Sequence, residues 1–351
     1  MVLSSLPALG APGDLDNTFG AFGKVNTSFG TGNDGARRVA IQADGKIVVA
    51  GTCANGSNTD FCIARYTADG ALDTTFSGDG KFVVAIGSGD DDVRALALQP
   101  DGRIVAAGTC DNGASTSFCL ARYTVAGTLD TSFNGNGKVI TAAGSVSSSL
   151  RGAALQPDGR IVVGGTCDNG AGNTFCLARY TADGVLDTSF SGDGKVATSI
   201  GASLSYVDSV LLQPDGKIVA TGLCYSTAAG GYSQFCLARY NANGSLDTSF
   251  NVDGRARAQI GNFNASAYGG AALQPDGKIV VAGYCDLQSG GAGSSFCLAR
   301  FESGGALDPS FSTDGRIVTH GILFDSGSDR LKNESLPTLK SILALLQQDL
   351  R

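Results

Sequence analysis

Short apolar runs broken by Gly, Asp, Asn and Ser recur along most of the chain, and helical spacing emerges only near its end. Over residues 93–144 this pattern predicts four strands. Val93–Leu98 is a partly alternating run closed by Gln99-Pro100-Asp101-Gly102, where Pro presets φ and Gly can take a positive φ. Arg103–Cys110 follows at once as its antiparallel partner. Phe118–Thr124 comes third, after a Gly/Asn/Ser loop. Lys138–Ala143 comes fourth, after the Gly-Asn-Gly turn at 135–137.

This unit repeats. The phrase Gln-Pro-Asp-Gly-Lys/Arg places its Asp at 44 (there as Gln-Ala-Asp-Gly), 101, 158, 215 and 276. Leu-Asp-x-x-Phe places Asp at 16, 73, 130, 187, 247 and 308, and Phe-Cys-Leu/Ile-Ala-Arg starts at Phe61, Phe118, Phe175, Phe235 and Phe296. The period is 57–61 residues, repeated five times. Four short strands per period predict an all-β chain, a β-propeller of about five four-stranded blades over residues 13–324. A parallel β-helix is the second choice, because its repeats are shorter and need no hairpin at every copy. The count leaves a mismatch: six copies of the fourth strand, the first over 17–30, against five of the other three. Segments 17–30 and 307–324 compete for one place in a closed ring. One copy lies outside the ring, or the chain is part of a longer array, or two chains share strands.

Residues 1–12 read as a leader or signal remnant, apolar but without positive charge. Residues 325–351 read as a linker and a short amphipathic C-terminal helix, with Leu336, Leu339, Leu343, Leu346 and Leu350 at 3-4-3-4 spacing. That helix packs on its own ring or serves self-association.

Composition narrows the function. The chain has 351 residues and 51 Gly, with 25 basic against 32 acidic residues for a net charge of −7. That balance argues against nucleic acid and anionic membrane surfaces as partners. One His, one Met and no Trp leave few of the usual catalytic residue types. No segment is long enough to span a bilayer.

The ten cysteines fall in five pairs on either side of one loop per repeat: Cys53 with Cys62, Cys110 with Cys119, Cys167 with Cys176, Cys224 with Cys236, and Cys285 with Cys297. Antiparallel strands bring such positions within bridging reach, and one His cannot complete five zinc sites. Five disulfides are expected, and with them export to the periplasm, cell surface or medium.

With these phrases in view, the chain resembles the bacterial delta-60 repeat family of uncharacterised propeller-like repeats. The likeness lies in Leu-Gln-Pro-Asp-Gly-Lys-Ile-Val-Val-Ala-Gly, Phe-Cys-Leu-Ala-Arg-Tyr and Gly-x-Leu-Asp-x-x-Phe-x-x-x-Gly-Lys, over roughly residues 13–324. It implies a β-propeller on large exported or cell-surface bacterial proteins, and brings no catalytic residues.

Arg65, Arg122, Arg179, Arg239 and Arg300 each precede an Asp by eight residues, at Asp73, Asp130, Asp187, Asp247 and Asp308. Such a fixed offset is the trace of a structural ion pair inside each repeat; a ring of ligand sites is the functional alternative. The basic residue of each Asp-Gly-Lys/Arg turn reads as a solvated strand start. Candidate ligand contacts lie where copies differ. Tyr206, Tyr225, Tyr232, Tyr268 and Tyr284 stand outside the repeated Ala-Arg-Tyr slot and offer contact area with a polar tip. Asp90, Asp91 and Asp92 form the one acidic run, a candidate Ca²⁺ site without an EF-type register. His320 is a candidate member of a Ser-His-Asp arrangement, although no Gly-x-Ser-x-Gly elbow accompanies it. The expected function is an exported, disulfide-stapled, non-catalytic binding or structural module for a glycan or protein. The alternative is a Ca²⁺-dependent hydrolase of esters, lactones or phosphotriesters at the mouth of a central channel.

Overall fold

A computed structural model describes residues 14–319 apart from 202–203, 227–230, 262, 287–293 and 313. The leader, the C-terminal helix and His320 lie outside the described residues. The chain divides into two compact units at Thr141/Ala142.

Unit 1 holds two four-stranded antiparallel sheets. Sheet 1 comprises β1 (Asp34–Ile41), β2 (Ile47–Ala54), β3 (Thr59–Tyr66) and β4 (Lys81–Val84). Sheet 2 comprises β5 (Asp91–Leu98), β6 (Ile104–Asp111), β7 (Thr116–Tyr123) and β8 (Lys138–Thr141). Unit 2 holds three more of the same order. Sheet 3 is β9 (Ser147–Leu155), β10 (Ile161–Asp168), β11 (Asn173–Tyr180) and β12 (Lys195–Thr198). Sheet 4 is β13 (Ser205–Leu212), β14 (Ile218–Tyr225), β15 (Ser233–Tyr240) and β16 (Arg255–Ala258). Sheet 5 is β17 (Ala265–Leu273), β18 (Ile279–Asp286), β19 (Ser294–Phe301) and β20 (Arg316–Thr319).

Local chemistry sets each sheet. In the first hairpin Gly45 sits at φ 85°, its amide donates to Gln42 O, and the Asp44 carboxylate accepts from the Lys46 amide. This is the turn that Asp-Gly specifies. A disulfide joins the second strand to the third in all five sheets. The bridges run from Cys53 to Cys62, Cys110 to Cys119, Cys167 to Cys176, Cys224 to Cys236 and Cys285 to Cys297, with Cα atoms 5.8–5.9 Å apart. The third-strand partners Cys62, Cys119, Cys176, Cys236 and Cys297 are all buried, so each bridge is packed within its sheet's surroundings. Each closes a short loop, so its stabilisation is about 2–3 kcal/mol. Five bridges fit an oxidising, extracellular environment.

Neighbouring sheets within a unit pack face to face. In unit 1, Val48, Phe61, Ile63 and Phe76 of the first repeat meet Val93, Ile104 and Tyr123 of the second. In unit 2 the same positions build the layer between sheets 3 and 4 and that between sheets 4 and 5. No helix among the described residues is long and apolar enough to cross a membrane.

Candidate functional site

Charge is placed in two ways. The first is uniform. Arg65 Nε lies 2.8 Å from Asp73 Oδ2, its Nη1 donates to Val125 O of the second repeat, its Nη2 to Thr75 Oγ1, and the guanidinium stacks 4.7 Å over Phe76. The equivalent Nε–Oδ2 distances are 2.8 Å for Arg122–Asp130, 2.8 Å for Arg179–Asp187, 2.7 Å for Arg239–Asp247 and 2.6 Å for Arg300–Asp308. Burial pushes the Asp73 carboxyl up, but the Thr75 hydroxyl and amide and the Arg65 charge outweigh it and hold it down to about 2. The basic residue of each Asp-Gly-Lys/Arg turn is not merely solvated. Lys46, Arg103, Arg160, Lys217 and Lys278 each reach the same Asp as a second cation, at 2.9–3.5 Å. Each knot thus holds its Asp between two cations and a hydroxyl.

The second placement varies from sheet to sheet. The first strand of every sheet carries a β-bulge against the second, and the extra residue that it inserts into the register is Arg37, Arg94, Arg151 or Asp208 in sheets 1–4. In sheet 5 the irregularity lies between Ser266 and Gly270 and includes Tyr268. The facing glycines Gly51, Gly108, Gly165, Gly222 and Gly283 are required by sterics. A Cβ there would lie 1.8–2.0 Å from a carbonyl oxygen of the bulged strand. A bulge re-aims one side chain, and here it does so once per sheet.

In unit 1, Arg37 and Arg94 both pair with Asp92, the former at 3.5 Å. In unit 2 the first strands β9, β13 and β17 are neighbours. Burial pushes the Asp208 carboxyl up to about 7, against the pull of the Arg151 charge, and its Oδ2 is buried with no hydrogen-bond partner. Burial also raises the Tyr268 phenol, helped by the Asp208 charge and by Tyr284. The Tyr268 and Tyr284 rings stand 6.1 Å apart and remain 57% and 38% exposed. A guanidinium, a carboxyl group and two accessible aromatic faces therefore lie near one another. Such a set can hold a polar ligand by its hydroxyls and its apolar face together.

The other candidate tyrosines are dispersed. Tyr206 accepts a 2.9 Å hydrogen bond from Asn173 Nδ2 between sheets 3 and 4. Tyr225 ends β14, and Tyr232 stacks edge-on against Phe263 at 5.1 Å. The three consecutive aspartates serve three different partners. Asp90 accepts from the Thr59 amide, Asp91 from the Ile86 and Gly87 amides, and Asp92 holds the arginines. Their carboxylates therefore do not converge on a common Ca²⁺ position, and among the described residues no three His, Cys, Asp or Glu side chains gather as metal ligands.

Sequence reasoning passed over Arg37, Arg94, Arg151 and Asp208. The available signal was their place seven residues before each turn Asp, where residue type changes while its surroundings repeat.

Five four-stranded antiparallel sheets built from one repeat define a chain of β-propeller blades. The chain belongs to the family described as "Domain of unknown function (DUF5122) beta-propeller". That family matches residues 42–76, 99–133, 156–190, 213–250 and 274–311, just over half the chain. It is a β-propeller repeat of the kind that the delta-60 resemblance implied. No curated protein matches the chain.

Among solved structures, the chain is similar to a protein of unknown function from Dyadobacter fermentans. That likeness has 13% identity over 86% of this chain and 87% of that one, with a TM-score of 0.49. It is also similar to an ulvan lyase of a polysaccharide lyase family, at 12% identity over 78% and 69% and a TM-score of 0.45. A third is the β-propeller domain of the trilobed protease from Pyrococcus furiosus, at 8% identity over 80% and 71% and a TM-score of 0.41. Identities this low carry neither ligand nor activity across.

Proposed function

We propose that the protein is an exported, non-catalytic binding module for carbohydrate, whose contact surface is Tyr268 and Tyr284 with Arg151 and Asp208. One observation carries the reading. Two exposed, adjacent tyrosine rings stand within reach of the charges of Asp208 and Arg151. Sugars present C–H faces that pack on aromatic rings and hydroxyls that satisfy acceptors and guanidinium donors. Five intra-sheet disulfides support the exported setting.

The test is a glycan array followed by calorimetric titration of the best oligosaccharide. Tyr268→Ala and Tyr284→Ala are each expected to weaken binding about tenfold or more, as loss of an aromatic contact of about 1.5–3 kcal/mol requires. Array-wide silence, or binding unchanged in the Tyr268→Ala/Tyr284→Ala double variant, overturns the reading.

A further inference from the structure

Unit 1 shows how an arginine at a bulge position is neutralised. Arg94 pairs with Asp92 of its own strand, two residues earlier, and Arg37 pairs with the same Asp92 from the neighbouring sheet. In unit 2 the corresponding arginine, Arg151 on β9, has neither partner. One and two periods of 57 residues beyond Asp92 stand Ser149, on the strand of Arg151, and Tyr206, on the next sheet. Neither carries an acidic charge near neutral pH, and Asn173 Nδ2 donates to the Tyr206 hydroxyl at 2.9 Å. Among the described residues Arg151 makes no ion pair and no side-chain hydrogen bond, and it is only half-buried.

The neighbouring groups leave that charge standing. Asp208 attracts Arg151 from β13 without forming an ion pair, and burial holds its carboxyl towards the neutral form, at about 7. A guanidinium keeps its charge at every working pH and offers donors in a planar fork that matches two oxygens of one oxyanion. The exposed Tyr268 ring feels the Arg151 charge and stands 6.1 Å from the Tyr284 ring. All four residues belong to unit 2, and their strands β9, β13 and β17 are neighbours, with Tyr284 on the adjoining β18.

We propose that the carbohydrate taken by this surface is an anionic sugar: Arg151 receives its carboxylate or sulfate oxygens while its ring packs on Tyr268 and Tyr284. The inference rests on the carbohydrate-binding reading above and narrows it to acidic glycans. One repeat position then has two uses. With Asp92 at hand its arginines are held internally, and with Ser149 in that place Arg151 is left for an anion from outside. Charge-assisted bonds to a bidentate oxyanion are the stronger kind, so the acidic group contributes much of the affinity.

A glycan array of matched pairs, probed at pH 7 with the full oxidised chain, tests it. Uronic-acid oligosaccharides are set beside their methyl esters, and sulfated oligosaccharides beside their desulfated forms. The charged member of at least one pair is expected to bind about tenfold or more tightly than its neutral twin, and which pair responds separates carboxylate from sulfate. Calorimetric titration with that glycan follows on two variants. Arg151→Gln removes the cation, and Ser149→Asp gives Arg151 the internal partner that Arg94 has in Asp92. Each is expected to weaken binding about tenfold or more with unchanged circular dichroism. Neutral twins bound as tightly as charged ones overturn the proposal and leave the carbohydrate reading standing. So does full affinity in both variants. Silence across every pair removes the carbohydrate reading itself, and the proposal with it. Should Arg151→Gln disturb the fold, Ser149→Asp alone decides.

Discussion

Asp187 and Asp208 lie in neighbouring repeats of one unit and have opposite surroundings. Asp187 meets Arg179, Arg160 and Ser189, and those partners hold its carboxyl below the ordinary range against the effect of burial. Asp208 has one oxygen without a hydrogen-bond partner, and burial raises it to about 7. The repeat surrounds its structural carboxylates with partners and leaves the bulge carboxylate short of them. A buried group left short of partners costs stability.

The largest effect is expected at the well-partnered site. Asp187→Ala strips the counter-charge from Arg179, which is buried and wedged over Phe190. Urea unfolding should show a loss of about 3–5 kcal/mol. A loss no larger than that of an exposed ion pair would erase the contrast between the two aspartates.

Gly222→Val acts on the bulge. Its Cβ would fall 1.8 Å from Tyr206 O, so the bulge must shift or the strands must part. The expected loss is about 1–3 kcal/mol, together with glycan binding, since Asp208 is the residue that this bulge aims. Full binding in a destabilised Gly222→Val protein would separate the bulge from the site.

The smallest effect is the most specific. A carboxyl raised in the folded state binds more protons folded than unfolded, so its contribution is fully present below its ordinary value of 3.8 and is lost as pH rises through about 7. For Asp73 the sign reverses: its contribution is present above 3.8 and is lost as pH falls through about 2. Asp208→Asn should therefore be more stable than wild type by about 1–2 kcal/mol at pH 8, less than the full shift because the side chain is partly exposed, and equal to it near pH 4. Thermal unfolding across pH reads this directly. A pH-independent difference between the two proteins would remove the strained carboxylate from the account.

Much of this architecture was legible because it repeats. The predicted strand Val93–Leu98 is β5 with two residues added at its start, and Lys138–Ala143 is β8 less its last two. The Arg-to-Asp offset and the cysteine spacing are local enough to read along the chain. The second cation on each Asp was not, since Lys46 and Asp73 are brought together only by the folded sheet. The bulges were hidden for a similar reason. An extra residue in a ladder is defined by its partner strand, and apolar alternation alone reads smoothly across Val93-Arg94-Ala95. Tyr268 and Tyr284 were visible as departures from the repeat, but their pairing with Arg151 and Asp208 joins three sheets.

Confining every disulfide to a single sheet also bears on how such a chain can change its length. Each repeat carries both halves of its own bridge, between its second and third strands. Unequal recombination that adds or deletes a whole copy therefore never strands a thiol or scrambles a pairing. Arrays of different lengths can arise in one genetic step and still oxidise correctly, while the bulge residue of each new copy is free to diverge.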